Sequence, residues 1–105
     1  MYNIFLDDIR SAPKLGRYNT VRSYAGCISL LKVFGETLNK ISLDYDLGDT
    51  GETGYDVLVY MKENDIKPMY INVHSDHPEG ARKMVKYASE HFKDSIVCNQ
   101  MIGDK

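Results

Sequence analysis

Short apolar runs alternate along this chain with stretches of helical spacing. Residues 2–6 are an apolar run of β-formers that stops at Asp7 and Asp8, which predicts a strand. Residues 10–18 hold Ser, Pro and Gly and predict a loop, and residues 20–22 predict a weak second strand. Ser23 is placed to cap a helix over residues 24–34, since its hydroxyl can accept from an N–H that lacks an intrahelical partner. Ile28, Leu31 and either Leu30 or Phe34 share one face of it, and Gly35 ends it. Ile41, Ser42 and Leu43 predict a third strand, followed by an acidic loop over residues 44–53 made turn-rich by Gly48, Gly51 and Gly54. Residues 55–63 predict a helix with Val57, Leu58 and Met61 inward. Pro68 closes the connection to a fourth strand over residues 69–73, and residues 75–78 form a loop. Pro78, whose fixed φ suits a first helical turn, opens a helix over residues 79–92, and residues 95–98 predict a fifth strand.

Strands separated by helical stretches pair in parallel through right-handed crossovers. The segment between the first two strands is too short and too broken for a regular helix. The expected fold is a single α/β domain over residues 1–105, a three-layer, doubly wound, mostly parallel sheet with a degenerate first crossover helix. Ligands of such sheets bind beyond the carboxyl ends of the strands, at the switch point. A chain of 105 residues suits one domain and buries roughly two-thirds of its unfolded surface without staples. A net charge of −2 lacks the basic excess of a nucleic-acid-coating or membrane-binding surface, so neither a nucleic-acid duplex nor a membrane is an expected partner. A small phosphorylated ligand remains compatible with that charge. Asp7 and Asp8 interrupt the apolar start, which argues against a signal peptide, and no apolar run approaches the ~18 residues of a membrane span. A cytoplasmic location is expected. Cys27 and Cys98, without a CxxC spacing or a paired His, read as buried free thiols.

Three polar clusters follow three of the apolar strands directly: Asp7-Asp8, Asp44-Tyr45-Asp46 and His74-Ser75. In the expected fold they project from one edge. Converging carboxylates repel one another and raise their own pKa values unless a cation joins them, and a hard ion with oxygen ligands, Mg²⁺ or Mn²⁺, fits best. Asp7, Asp8, Asp44 and Asp46 are the candidate ligands, while Asp46 and Asp49 are equally suited to capping their own loop. His74 has a side chain that titrates near neutrality, as proton transfer to a leaving alkoxide requires. Ser75 and the donors at the helix start at Pro78 suit a phosphate, because helix N-termini favour anions. Arg10 and Arg82 read as anion contacts or as solvated surface, and His77 as a second proton donor or a loop residue. His91 reads as surface. Tyr45 and Tyr55 flank the acidic loop and either stack on a base or pack, and the methionines read as core filling. Asp44-Tyr45-Asp46 has the DxD form of haloacid-dehalogenase-type phosphatases, but it sits on the third strand with little chain left for that fold's later elements. A calcium loop of the EF-hand type starting at Asp44 would need Gly in place of Asp49 and Glu in place of Tyr55.

A strand ending in two Asp, a central strand ending in Asp44, and Ser75 after the fourth strand resemble a response-regulator receiver domain. The resemblance is closer to a divergent branch, the cyclic-phosphate processing receiver-like family. Phe5-Leu6-Asp7-Asp8-Ile9-Arg10-Ser11-Ala12-Pro13 looks like its opening motif. Ser42-Leu43-Asp44-Tyr45-Asp46-Leu47-Gly48, then Thr53-Gly54-Tyr55-Asp56-Val57-Leu58, looks like its central motif, and His74-Ser75-Asp76-His77-Pro78-Glu79-Gly80 with Arg82 looks like its third. Together they run through residues 5–84 in the right order. The resemblance implies a receiver or flavodoxin-like fold with Asp7, Asp8 and Asp44 as metal-site carboxylates, Asp44 standing where a receiver's phosphoacceptor lies. Ser75 or His74 would contact phosphate oxygens. His77 stands where the family pattern usually has Asn, and Cys98-Asn99-Gln100 follows the fifth strand where ordinary receivers place a Lys. Two functions are implied. One is a metal-dependent phosphoesterase that hydrolyses a small, nucleotide-type cyclic phosphate to a monoester, with Asp44, His74 and Ser75 catalytic and Arg10, Ser75, His77 and Arg82 on the phosphate. The other is a non-catalytic module that binds a phosphoryl group, a nucleotide or a partner protein.

Overall fold

The computed structural model describes residues 1–48 and 51–104, so Asp49 lies outside the described residues. Five strands form one sheet: β1 (Tyr2–Leu6), β2 (Asn19–Val21), β3 (Leu38–Leu43), β4 (Tyr70–Val73) and β5 (Ile96–Cys98). Their order is β2-β1-β3-β4-β5 and every neighbouring pair is parallel. Three helices intervene: α1 (Tyr24–Phe34), α2 (Gly54–Glu63) and α3 (Pro78–His91). The flavodoxin-like α/β class and the helix-free first crossover agree with the reading of the sequence. The main difference in boundaries is at β3, which begins three residues earlier than its apolar triplet. Asn39 and Lys40 are polar, yet β3 is flanked by β1 and β4, and backbone pairing on both sides outweighs side-chain polarity. Ser23 caps α1 as expected, accepting from the Gly26 N–H at 3.0 Å. Gly35 follows with a helical φ of −55° and leads into a short 3₁₀ turn, without the left-handed end usual for a terminal glycine.

The direction of each step across the sheet decides which face a crossover occupies. The chain steps from β1 to β2 in one direction and then from β2 to β3, β3 to β4 and β4 to β5 in the other. Right-handed crossovers therefore put α1, α2 and α3 side by side on one face, where α1 touches α2 and α2 touches α3. Strand alternation sends Ile4, Leu6, Ile41, Leu43, Ile71 and Val73 to this face, and they pack with Leu31, Val57, Leu58, Met61, Met84 and Ala88.

Phe5, Ser42, Asn72 and Cys98 lie in register on the opposite face. The third layer there is made of loop and tail. Tyr18 meets Phe5 edge-on at 5.8 Å, and the Asn3 amide donates to the Gly16 carbonyl at 2.7 Å. The C-terminal segment crosses the same side: the Asn72 side chain exchanges two hydrogen bonds with the Gln100 backbone, and Asp104 exchanges two with Ser11. Cys98 is only half-buried on this face, which corrects the expectation of a buried thiol. Cys27 is buried under the helices, and burial pushes its thiol up to about 12, so it is inert at neutral pH.

Two glycines let helices come close to the carboxyl edge of the sheet. A methyl on Gly54, the first residue of α2, would sit 2.1 Å from the Asp44 carbonyl oxygen, and one on Gly80 in α3 would sit 2.3 Å from the Tyr45 ring. Thr53 and Asp56 close a capping box that fixes the start of α2 against β3. Gly54→Ala is expected to lower stability by about 1–3 kcal/mol through overpacking against backbone. The exposed change Glu52→Ala is expected to stay within about 0.5 kcal/mol. Urea unfolding of both variants followed by circular dichroism checks the pair.

Candidate metal and phosphate site

Parallel register delivers the polar clusters to one place. Leu6 pairs with Leu43 and Leu43 with Val73, so the residues that follow, Asp7, Asp44 and His74, line up across the sheet edge. The ladder continues through them: Asp44 N–H donates to Leu6 and His74 N–H to Leu43, both at 3.0 Å. Asp7, Asp8 and Asp44 each offer one carboxylate oxygen, and these oxygens lie within 4.8 Å of one another. They open into a cleft of about 460 Å³ whose lining also includes Ile9, Arg10, Asp46, Ser75, Asp76 and His77.

Asp7 and Asp44 are pushed in opposite directions. Burial alone would raise the Asp7 pKa. Its Oδ1, however, accepts from the Arg10 and Ile9 backbone N–H groups at 2.7 and 2.8 Å, and Oδ2 meets His74 Nε2 at 3.1 Å. These contacts outweigh burial and hold the carboxyl below its ordinary value. Asp44 has less help. Burial first, and then the charge of Asp7, push it up to about 6, although the Ser75 hydroxyl and the Tyr45 N–H bond to it. His74 is driven below its ordinary value by burial, against the pull of Asp7. At neutral pH the imidazole is therefore neutral beside an ionised Asp7. An oxygen-only donor set whose members repel one another fits a hard divalent cation.

The remaining candidates separate by geometry. Asp46 lines the cleft but is exposed, and its carboxylate accepts from the Gly48 N–H at 3.0 Å, which caps its own turn outside the cluster of three carboxylates. Arg10 is the cation of the cleft: its Nη2 lies 3.3 Å from Asp76 and its Nε 3.7 Å from Asp7. Ser75 bonds Asp44 and accepts from the His77 N–H at 3.1 Å. His77 caps α3, its Nδ1 accepting from the Gly80 N–H at 2.9 Å, so the ring proton is on Nε2. Tyr45 lies against Gly80 and supports the His77 ring at 4.7 Å.

His74 is 1% exposed and stacks flat on Phe5 at 4.3 Å, with both ring nitrogens engaged, by Asp7 and by Ser42 Oγ at 2.7 Å. It lines the floor of the cleft with almost no exposed surface. Arg82 is exposed in the second turn of α3, outside the cleft lining, because the helix starts at Pro78. Tyr55 packs edge-on against Tyr87 under Lys83, and His91 is exposed against Tyr87. Ser42, Asn72 and Arg22 escaped the reading of the sequence. Arg22 donates to the Arg10 and Asp7 carbonyls at 2.7 and 3.2 Å and so holds the β1 exit in place. Ser42 and Asn72 had a legible signal: each is the one polar residue between two apolar neighbours in a strand, which places both on the face away from the core.

A parallel sheet in this order, with acidic residues at the ends of its first and central strands and a hydroxyl after the fourth, defines a receiver-like domain. The chain matches the model of the cyclic-phosphate processing receiver domain over residues 2–90, and it belongs to that family. No curated protein and no solved structure matches it. Among the described residues no helix is long and apolar enough to cross a membrane.

In metal-free protein the Asp44 carboxyl is expected to titrate at about 6, read from its ¹³C carboxyl resonance. This folded value lies above the ordinary value of 3.8, so the folded state holds the proton more tightly than the unfolded chain. The stability that Asp44 contributes is full below 3.8 and is lost as pH rises through about 6. Melting temperatures of metal-free protein should show that loss, and Asp44→Asn should remove this part of the slope.

Proposed function

We propose that the protein is a metal-dependent phosphoesterase that hydrolyses a small cyclic phosphate of nucleotide type to a monoester. The observation that carries this reading is the convergence of Asp7, Asp8 and Asp44 within 4.8 Å at the mouth of the cleft, in a chain of a cyclic-phosphate processing family. These three side chains would hold Mg²⁺ or Mn²⁺, while Asp46 stays with its turn. Bound there, the ion would supply positive charge against the phosphate and lower the pKa of water.

The cleft is lined by five aspartates and one arginine, so an anion is repelled until a divalent charge offsets them. Arg10 then orients a phosphate oxygen at the rim, and Ser75 holds Asp44 in place. His77 presents an Nε2–H that donates a hydrogen bond to the leaving ester oxygen. Water adds to phosphorus as that P–O bond breaks, and a proton of that water ends on the leaving oxygen, so the reaction needs no further reagent. A volume of about 460 Å³ suits a ligand of nucleotide size.

Phosphorus NMR of 2′,3′-cyclic, 3′,5′-cyclic and ADP-ribose cyclic phosphates with Mg²⁺ or Mn²⁺ tests the reading. The expected result is a new monoester line that needs metal and is absent with Asp44→Ala. Broadening or shift of one line without turnover would replace the enzyme by a binding module. His77→Ala is expected to lower kcat by about 10²–10³-fold while leaving Mn²⁺ affinity unchanged. Steady-state kinetics beside a Mn²⁺ titration separates the two quantities.

A further inference from the structure

A continuous row of polar side chains runs behind the acidic cluster, on the sheet face opposite the helices. Asn72 Nδ2 donates to Ser42 Oγ at 3.0 Å, Ser42 Oγ meets His74 Nδ1 at 2.7 Å, and His74 Nε2 meets Asp7 Oδ2 at 3.1 Å. Ser42 is 0% exposed, His74 1% and Asp7 3%. The donors and acceptors can be assigned along the row. An ionised Asp7 only accepts, so His74 Nε2 carries a proton. Ser42 Oγ accepts from Asn72, and its own hydrogen points to His74 Nδ1, the one acceptor it meets. Each link donates toward the cleft.

Behind Asn72 the row is anchored in backbone. The second Asn72 amide hydrogen goes to the Gln100 carbonyl at 2.9 Å, and Asn72 Oδ1 accepts from the Gln100 N–H at 3.0 Å. In front, the two backbone donors on Oδ1 and His74 on Oδ2 fix the Asp7 carboxylate against rotation. Apolar residues on this face would spare the desolvation of Ser42 and His74. The row ends on a carboxylate of the cluster, and fixed outer partners of this kind orient metal ligands and raise their affinity.

We propose that His74, Ser42 and Asn72 are positioning residues that hold the Asp7 carboxylate in the orientation a divalent cation requires, with His74 fixed as the Nε2–H tautomer. The purpose given to the row rests on the metal-site reading above, whereas the tautomer does not.

Two measurements on the full chain test it. Long-range ¹H–¹⁵N NMR of the imidazoles in metal-free protein should show His74 as a single Nε2–H tautomer, and Ser42→Ala should move its Nδ1 resonance. Mn²⁺ binding, followed by EPR of the free ion, should weaken about 10-fold in Ser42→Ala and about 10–100-fold in His74→Leu. His74→Gln, whose amide nitrogen reaches the Nε2 position, should stay within about threefold of wild type. Asn72→Ala breaks the row at a half-buried position that tolerates truncation; it should shift the His74 ring signals and weaken binding by a smaller factor. Circular dichroism and a cooperative melt establish that each variant is folded. Folded variants with wild-type Mn²⁺ affinity, or an Nδ1–H tautomer in the wild type, would overturn the proposal. Failure of the wild type to bind Mn²⁺ overturns the metal reading together with the purpose of the row. The imidazole spectrum tells that failure apart from failure of the row itself.

Discussion

Right-handed crossovers between parallel strands leave no freedom in where a helix lies once the direction of the step across the sheet is set. Three of the four steps here run the same way, and the helices therefore gather on one face. The opposite face receives the reversed step, which carries loop in place of helix, and the returning C-terminal segment. The same parallel pairing puts every strand's carboxyl end on one edge. Asp7, Asp44 and His74 are delivered together by backbone register alone, whatever the connecting segments do. The sheet thus separates two tasks: its helix side supplies apolar burial, and its loop side carries the polar row that reaches the acids.

Asp7 and Asp44 show how far local hydrogen bonding can divide two neighbouring carboxyls. Both are pushed up by burial, yet one ends below its ordinary value and the other at about 6. Asp7 has two backbone donors on Oδ1 from the turn that follows β1, and His74 beside it, whereas Asp44 is half-buried next to the charge of Asp7 with one backbone donor, from Tyr45, and the Ser75 hydroxyl. The turn after β1 is in turn held by Arg22, which reaches across from the end of β2. A surface arginine of unremarkable sequence context therefore stands two bonds away from the charge state of the site.

Much of this was readable from the residues. An apolar run cut off by acids announces a strand and the polarity of its end together, as at Phe5-Leu6-Asp7-Asp8 and Leu43-Asp44. The helices over Tyr24–Phe34, Gly54–Glu63 and Pro78–His91 follow from spacing and caps. The layering was not readable, because hydrophobic period reports which residues share a face and says nothing of the order in which strands lie. The partners of His74 were hidden for the same reason: Ser42 is 32 residues away and meets it only through strand order. The helix over residues 79–92 begins one residue earlier in the structure, at Pro78, which puts Arg82 in its second turn. Asn39 and Lys40 concealed half of β3 because a central strand tolerates polar side chains on the side that faces loops.

Phe5 lying flat on the His74 ring, at 4.3 Å and within 5° of parallel, has a further use. A carbon-bound proton of the imidazole then sits over the phenyl face, in its shielding cone, and is shifted upfield of its position in a free imidazole. Small tilts or slides between the stacked rings change that ring current steeply. The molecule thus carries a label-free gauge of strain at its carboxyl edge, read from the proton shifts of one imidazole.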